Sequence, residues 1–117
     1  MTITATERIA RLNDRCRQGL DANARIMVTR NCLARLSGEG EGIAEILAQA
    51  ELLAAVRRYS FKPGDGPERD FGAFDLQGQR LLFKIDYYDM TLEFGSDDPA
   101  DASITRRVLT VMLAEDY

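Results

Sequence analysis

The sequence predicts an α+β fold, a single domain of residues 1–117 in which an antiparallel sheet of about four strands packs against helices. Two patterns carry this prediction. Apolar residues recur at intervals of three and four in some segments, as in helices, and at intervals of two in others, as in strands. The predicted order is α-β-α-β-β-β-α. With 117 residues and a hydrophobic content of 45%, the chain is long enough for one core and too short for two.

The first predicted element is a helix that begins near Thr4. Thr4 and Glu7 have the spacing of a capping box, and Gly19 suits the end of the helix. Its apolar face consists of Ile9, Leu12, Cys16 and Leu20. Its opposite face is basic and consists of Arg8, Arg11 and Arg15. That basic face is either a solvated surface or a contact for nucleic acid or an acidic partner.

The middle of the chain predicts a short strand, a loop and a second helix. Residues 24–30 alternate and contain β-branched side chains, as strands do, whereas residues 31–36 are ambiguous between strand and helix. Glycine and serine make residues 37–42 a loop. Residues 43–58 predict a helix, because alanine favours helix formation and the apolar residues form one stripe: Ile43, Ile46, Leu47, Ala50, Leu53 and Val56.

The following segment predicts a strand, a turn and a β-hairpin. Residues 58–62 suit a short strand, and residues 63–67 contain the proline and glycine of a tight turn. Residues 70–89 predict a hairpin that turns at Gly78. Alternation places six hairpin residues on the buried face of the sheet: Phe74, Leu76, Leu81, Phe83, Ile85 and Tyr87.

The second hairpin strand has a mostly polar set on its other face: Leu82, Lys84, Asp86 and Tyr88. Tyr87 is therefore expected in the core and Tyr88 at the surface, where tyrosine suits a protein contact. A final helix is predicted over residues 102–115, capped by Asp101. Its inward-facing residues are expected to be Ile104, Val108, Leu109, and Val111 or Met112.

Charge is unevenly distributed along the chain. Residues 1–63 hold ten Arg or Lys and seven Asp or Glu, for +3, whereas residues 64–117 hold five and twelve, for −7. Six of these acids lie between Asp86 and Asp101 with no basic residue among them. We call residues 86–101 the acidic segment. Such asymmetry bears on partners and association rates and not on the fold.

Several kinds of chemistry find no support in the sequence. The chain has no histidine, which excludes a His-based catalytic relay and an imidazole metal ligand. The glycines near residue 40 lack the lysine of a phosphate-binding loop, and the two cysteines are expected to be buried thiols. We therefore expect no catalytic residues, cofactor or metal. The alternative is a small carboxylate-based enzyme or ligand-binding domain with a site around Asp86, with Lys84 as the one placed lysine.

The last 50 residues or so contain four short strings: FGAF at 71–74, KIDYYD at 84–89, DPAD at 98–101 and RVLTVMLA at 107–114. In these strings the chain resembles an uncharacterised family, a domain of unknown function, of small bacterial proteins. The resemblance implies proteins that are often borne on plasmids or prophages. It implies no catalytic residues.

These observations favour a non-enzymatic protein of a mobile element that inhibits a host defence nuclease, of the anti-CRISPR or antirestriction type. An acidic surface can occupy the basic channel in which such a nuclease holds nucleic acid. The partner would thus be a protein with a basic nucleic-acid-binding surface, such as a CRISPR effector or a restriction enzyme. The candidate partner-binding residues are Asp86, Tyr88, Asp89, Glu93, Asp97 and Asp98.

The remaining expectations concern compartment and other partners. The sequence has neither the apolar run of a membrane span nor the start of a secretory signal, so the cytoplasm is expected. Direct nucleic-acid binding is not expected, because the net charge is −4. Both a monomer and a homodimer are compatible with the sequence.

Overall fold

A computed structural model describes residues 2–38 and 42–117, which form three helices and a four-stranded sheet. The helices are α1 (Ala5–Arg17), α2 (Arg30–Ser37) and α3 (Ile43–Arg58). The strands are β1 (Arg25–Val28), β2 (Phe71–Leu76), β3 (Gln79–Tyr88) and β4 (Arg106–Leu113). The predicted α+β class is confirmed. The element order is α-β-α-α-β-β-β. It differs from the prediction in three places: α2 is an additional helix, the predicted strand over residues 58–62 is missing, and β4 replaces the predicted final helix.

The sheet is mixed, where a purely antiparallel one was expected. Its strand order is β1-β4-β3-β2, and β1 runs parallel to β4 while the other pairs are antiparallel. Parallel pairing needs a long connection between the two strands. Here α2, α3 and the hairpin lie between β1 and β4 in the chain and provide it.

Helix α1 begins as predicted. The Thr4 hydroxyl accepts a 3.1 Å hydrogen bond from the Glu7 N–H, whereas the Glu7 carboxylate pairs with Arg11 and does not close the capping box. Gly19 has a φ of +78° just after the helix, a conformation that glycine adopts without strain. Because the chain has left the helix there, Leu20 is 61% exposed and does not join the apolar face.

Residues 30–37, part of which was ambiguous in the sequence, form α2. Its N-cap is Thr29, whose hydroxyl accepts a hydrogen bond from the Cys32 N–H. The predicted strand over residues 24–30 is therefore shorter and ends at Val28. The predicted loop over residues 37–42 lies in part outside the described residues.

Helix α3 has the predicted bounds but buries a different face. Its buried residues are Ala48, Leu52 and Val56, and of these only Val56 belongs to the predicted apolar stripe. Ile43, Ile46 and Leu47 are more than 60% exposed. The helix is apolar on nearly all sides, so periodicity within it does not select the face that meets the sheet.

Residues 58–62 do not form the predicted strand. Arg58 is the last residue of α3, residues 59–62 are irregular, and their aromatic side chains pack against the core. The Tyr59 and Phe61 rings meet the Phe83 ring edge to face, at centroid distances of 5.4 and 6.1 Å. Tyr59 also covers Gly72, where a Cβ atom would lie 2.6 Å from its ring. Aromatic packing thus fixes this segment without strand pairing.

The hairpin is confirmed. Gln77 and Gly78, with φ values of +52° and +74°, connect β2 to β3, as in the tight turns that join twisted strands. Phe74 lies opposite Leu81 on the face that packs against the helices. Leu82, Lys84, Asp86 and Tyr88 lie on the opposite face of the sheet, which we call the open face.

The predicted final helix over residues 102–115 is wrong. Residues 106–113 form β4, which lies between β1 and β3 in the sheet, and a short 3-10 turn, Ala114–Asp116, follows it. Leu109, Val111 and Leu113 alternate into the core. Ile104, expected inside, is 41% exposed, and Asp101 caps a turn and not a helix. A central strand is apolar on both faces, so its residues read as a continuous run that periodicity cannot distinguish from a buried helix.

Candidate functional site: the acidic segment

Most of the acidic segment belongs to a long irregular loop, residues 89–105, which connects β3 to β4. Its first half doubles back along the end of β3. The Asp89 N–H donates to the Phe94 carbonyl at 2.8 Å, and the Ser96 N–H donates to the Tyr87 carbonyl at 3.0 Å. An irregular loop of this length is uncommon in a small domain and often has a binding role. These hydrogen bonds hold it in one conformation.

The second half of the loop is fixed by a buried hydroxyl. Thr105 is 3% exposed. Its Oγ1 lies 2.6 Å from the Ser96 hydroxyl and donates to the Asp98 carbonyl at 2.8 Å. The two ends of this half of the loop are therefore joined, and residues 96–105 form a closed turn.

A buried arginine attaches this turn to the core. Nη2 of Arg107 donates a 2.6 Å hydrogen bond to the Pro99 carbonyl, and the neighbouring Ala100 is buried. Nε of Arg107 donates to Oδ1 of Asn13 on α1 at 2.7 Å, and the guanidinium lies 5.1 Å from the centre of the Tyr87 ring. One side chain therefore connects the loop, α1 and β3.

The hydrogen-bond and ring contacts of Arg107 are with neutral groups, while the charges of Asp21 and Glu68 favour the cation from farther away. Arg107 is 1% exposed and makes no ion pair with any described residue. Burial lowers the pKa of the guanidinium, which nevertheless stays charged at physiological pH. The cation is stabilised by neutral acceptors and an aromatic ring, and losing one of these is expected to be costly.

Tyr87 extends this network towards the segment before β2. Its hydroxyl accepts a 2.8 Å hydrogen bond from Nδ2 of Asn13 and donates one of 2.8 Å to the Glu68 carboxylate. Burial raises the pKa of the Tyr87 phenol, so the group stays protonated and can donate. We call these four residues the polar network: Asn13 and Arg107, which are buried, and Glu68 and Tyr87, which are half-buried.

Sequence reasoning missed most of the polar network. Arg107 was placed in the predicted final helix without a role and Asn13 was not singled out, although Tyr87 was expected in the core. Strand alternation could have predicted that Arg107 is buried. In RVLTVML it shares one strand face with the apolar residues Leu109, Val111 and Leu113. No sequence signal pairs it with Asn13, which lies 94 residues away.

The acids of the loop fall into two groups. In the first, carboxylates stabilise their own turns. Asp89 accepts from the Glu93 N–H at 3.0 Å, and Asp98 accepts from the Ala100 N–H at 3.1 Å. Hydrogen bonds from the Ser103 side chain and N–H hold the pKa of Asp101 below its usual range. These carboxylates fix the loop as well as charging it.

In the second group are Glu93 and Asp97, which are exposed. Their side chains make no hydrogen bond or ion pair with the described residues, so both carboxylates can meet a partner. Changing either one therefore alters the charge of the loop while leaving its hydrogen bonds intact. Substitution of these two residues therefore tests a binding role of the charge without disturbing the loop conformation.

Asp86 and Tyr88 lie apart from the loop, on the open face. Asp86 accepts a 2.8 Å hydrogen bond from Lys84, and the attraction of Asp86 raises the pKa of that lysine. Tyr88 is half-buried and lies opposite Arg106 of β4. The structure thus places four of the six candidate residues on the loop and two beside basic side chains on the sheet. The role of all six in binding stays a prediction.

The described residues hold neither a candidate metal site nor a helix that could cross a membrane. No group of three or more carboxylate or cysteine side chains lies close enough to hold a metal ion within the described part of the chain. Cys16 and Cys32 are free and fully buried. None of the described helices is both long and apolar enough to cross a bilayer.

Comparison with known proteins gives one family. The model of the family described as "Protein of unknown function (DUF3768)" matches residues 29–116. The chain belongs to this family. The match covers α2, α3 and every strand except β1, together with the whole acidic segment. No curated protein and no solved structure shows significant similarity to the chain.

Proposed function

We propose that this protein of the DUF3768 family is a non-enzymatic inhibitor that binds the basic nucleic-acid-binding surface of a host defence nuclease through its acidic segment. One observation carries the proposal. The loop is held in one conformation by buried hydrogen bonds from Arg107 and Thr105, while its carboxylates face the solvent. A preorganised surface loses little conformational entropy on binding, and that favours affinity.

The charge of the segment suits such a target. Six acids and no base lie between residues 86 and 101. Nucleases that act on DNA or RNA hold the phosphate backbone with Lys and Arg, and a dense set of fixed carboxylates can compete for the same side chains. Opposite charge also accelerates association, in a way that salt weakens.

The proposal also names a class of target protein. The resemblance to plasmid- and prophage-borne proteins suggests a CRISPR effector or a restriction enzyme, because mobile elements must survive these systems. The site of action would then be the cytoplasm. Tyr88 would add an aromatic contact at the edge of the charged surface.

The first experiment is plasmid transformation of cells that carry an active, targeting CRISPR or restriction system, with and without this protein. Restored transformation supports the inhibitor. Failure across several CRISPR and restriction types contradicts it. Where transformation is restored, purified target and inhibitor should bind each other with a Kd that rises steeply with salt.

A matched pair of variants then tests the surface. Glu93→Lys with Asp97→Lys reverses the two carboxylates that make no contacts, and we expect it to abolish rescue. The control is Glu45→Lys with Asp75→Lys, which changes the net charge equally at two exposed acids outside the segment. If both double variants lose rescue of transformation equally, the effect comes from net charge alone, which would contradict a defined acidic surface.

A further inference from the structure

Helix α3 exposes an apolar stripe that the protein's own core does not use. We call Ile43, Ile46, Leu47, Ala50 and Leu53 the α3 stripe. Ile43, Ile46 and Leu47 are 75%, 67% and 63% exposed. These are large side chains on a single helix face, at the spacing that packs against another helix. Contiguous apolar surface of this kind usually marks an interface.

The stripe contains a hollow with the geometry of a helix-packing socket. The residues that line it are Ile46, Gln49, Ala50 and Leu53. They occupy positions i, i+3, i+4 and i+7 of the helix, the four positions that form the hole for a side chain of a facing helix. Ala50 is the small residue at its floor, with Ile46 and Leu53 on either side. The expected occupant is therefore one aliphatic side chain on a second helix.

The stripe is complementary to itself when two copies run antiparallel. It extends from Ile43 to Leu53, so its midpoint is residue 48. A two-fold axis on the exposed face of the helix, level with residue 48, brings Ile43 opposite Leu53 of the second copy. The same operation brings Ile46 opposite Ala50 of the second copy, and each copy therefore inserts Ile46 into the other's hollow.

Charge favours the antiparallel arrangement over the parallel one. Arg57 and Arg58 end α3, are exposed, and make no ion pair with any described residue. In an antiparallel pair they lie towards the start of the second α3, whose first turn carries Glu45. A parallel pair would place the arginines of both copies together. The helix dipoles also oppose each other only in the antiparallel pair.

We propose that the α3 stripe is the interface of an antiparallel homodimer. This inference is independent of the inhibitor function, because it concerns a different face of the molecule. Sedimentation velocity over a dilution series should show a species of twice the 13.1 kDa chain mass. A wild-type chain that stays monomeric throughout the series overturns the proposal.

A matched pair of substitutions locates the interface. Leu47→Glu places a charge in the stripe, and the apparent mass should fall by half. Leu20→Glu changes the same residue type at nearly the same exposure, 61% against 63%, on another part of the surface, and the dimer should persist. Both variants should keep the circular dichroism of the wild type, because both side chains face solvent. A dimer that survives Leu47→Glu overturns the proposal.

Cross-linking tests the direction of the helices. Ile46→Cys and Ala50→Cys are made as separate chains and mixed under mild oxidation. An antiparallel pair brings these two positions together, so the disulfide should form between the two different variants. The native thiols, Cys16 and Cys32, are fully buried and do not compete. Disulfides formed mainly within the Ile46→Cys protein alone indicate a parallel pair and overturn the proposal.

Discussion

Asn13 and Arg107 are 94 residues apart in the sequence, yet Oδ1 of Asn13 accepts a 2.7 Å hydrogen bond from Nε of Arg107. Neither residue is more than 1% exposed. The same amide donates from Nδ2 to the Tyr87 hydroxyl and to the Glu68 carbonyl. A single side chain of α1 therefore accepts from a buried cation and orients a half-buried phenol. The arginine in turn holds the loop that bears the acidic segment.

Asn13→Leu should lower the free energy of unfolding by about 3 kcal/mol, because it leaves a buried charge and a half-buried hydroxyl with fewer partners. Urea denaturation measures the change. Arg11→Gln is the control on the same helix. It removes only the exposed pair with Glu7, and the effect should stay below about 1 kcal/mol.

A double-mutant cycle tests whether the cost comes from Arg107. Once Asn13→Leu is present, Arg107→Met should cost clearly less than it does in the wild type, since the unpaired charge is removed with it. Strictly additive effects would show that the two side chains stabilise the protein independently.

Gly72→Ala should lower the free energy of unfolding by about 1–3 kcal/mol through overpacking. A Cβ atom at this position would lie 2.6 Å from the Tyr59 ring and 2.7 Å from the Phe83 ring, both of which pack in the core. Thermal or urea unfolding gives the measurement. Gly64→Ala is the matched control, because nothing lies within 4 Å of its Cβ position and its φ is not positive. Equal effects of the two substitutions would contradict the packing argument.

The stability that Asp14 contributes should depend on pH. Burial alone would raise the pKa of this carboxyl, but hydrogen bonds from Arg69 and Arg17 lower it below 3.8, its ordinary value. A depressed pKa in the folded state adds stability that is complete above 3.8 and is lost as the pH falls through the folded value. The difference in unfolding free energy between wild type and Asp14→Asn should therefore shrink below about pH 4. A difference that stays constant down to about pH 2 would show that the ionised carboxylate is not the stabilising form.

Both cysteines should be unreactive in the native protein. Burial, with the nearby charge of Asp21, raises the pKa of Cys16 to about 11, and the pKa of Cys32 is also raised by burial. Little thiolate exists at neutral pH, and neither sulfur is accessible. A thiol reagent should label both cysteines in urea and neither in buffer on a short time scale. Rapid labelling of one thiol in buffer would indicate local opening around it.

Local rules predicted the elements whose signals lie within a few residues. The hydroxyl of Thr4 caps α1, Gln77 and Gly78 turn the hairpin, and α3 has the bounds that its alanine-rich sequence indicates. In the candidate site, the sequence identified the acids and their density. It could not separate the carboxylates that stabilise turns, such as Asp89, from those that make no hydrogen bond with the described residues, such as Asp97. That distinction depends on which backbone N–H groups the loop conformation presents.

The sequence by itself determined the α+β class, the hairpin register of β2 and β3, and the excess of negative charge in one segment, because each follows from neighbours in the chain. Tertiary structure alone decided that residues 106–113 are a central strand, that α3 turns Leu52 inward and Leu47 outward, and that Arg107 holds the acidic loop through Asn13 and Pro99. An apolar run is compatible with either helix or strand, and a helix apolar on most sides can bury more than one face. The choice is made by the free energy of packing against distant elements, and no local pattern records it.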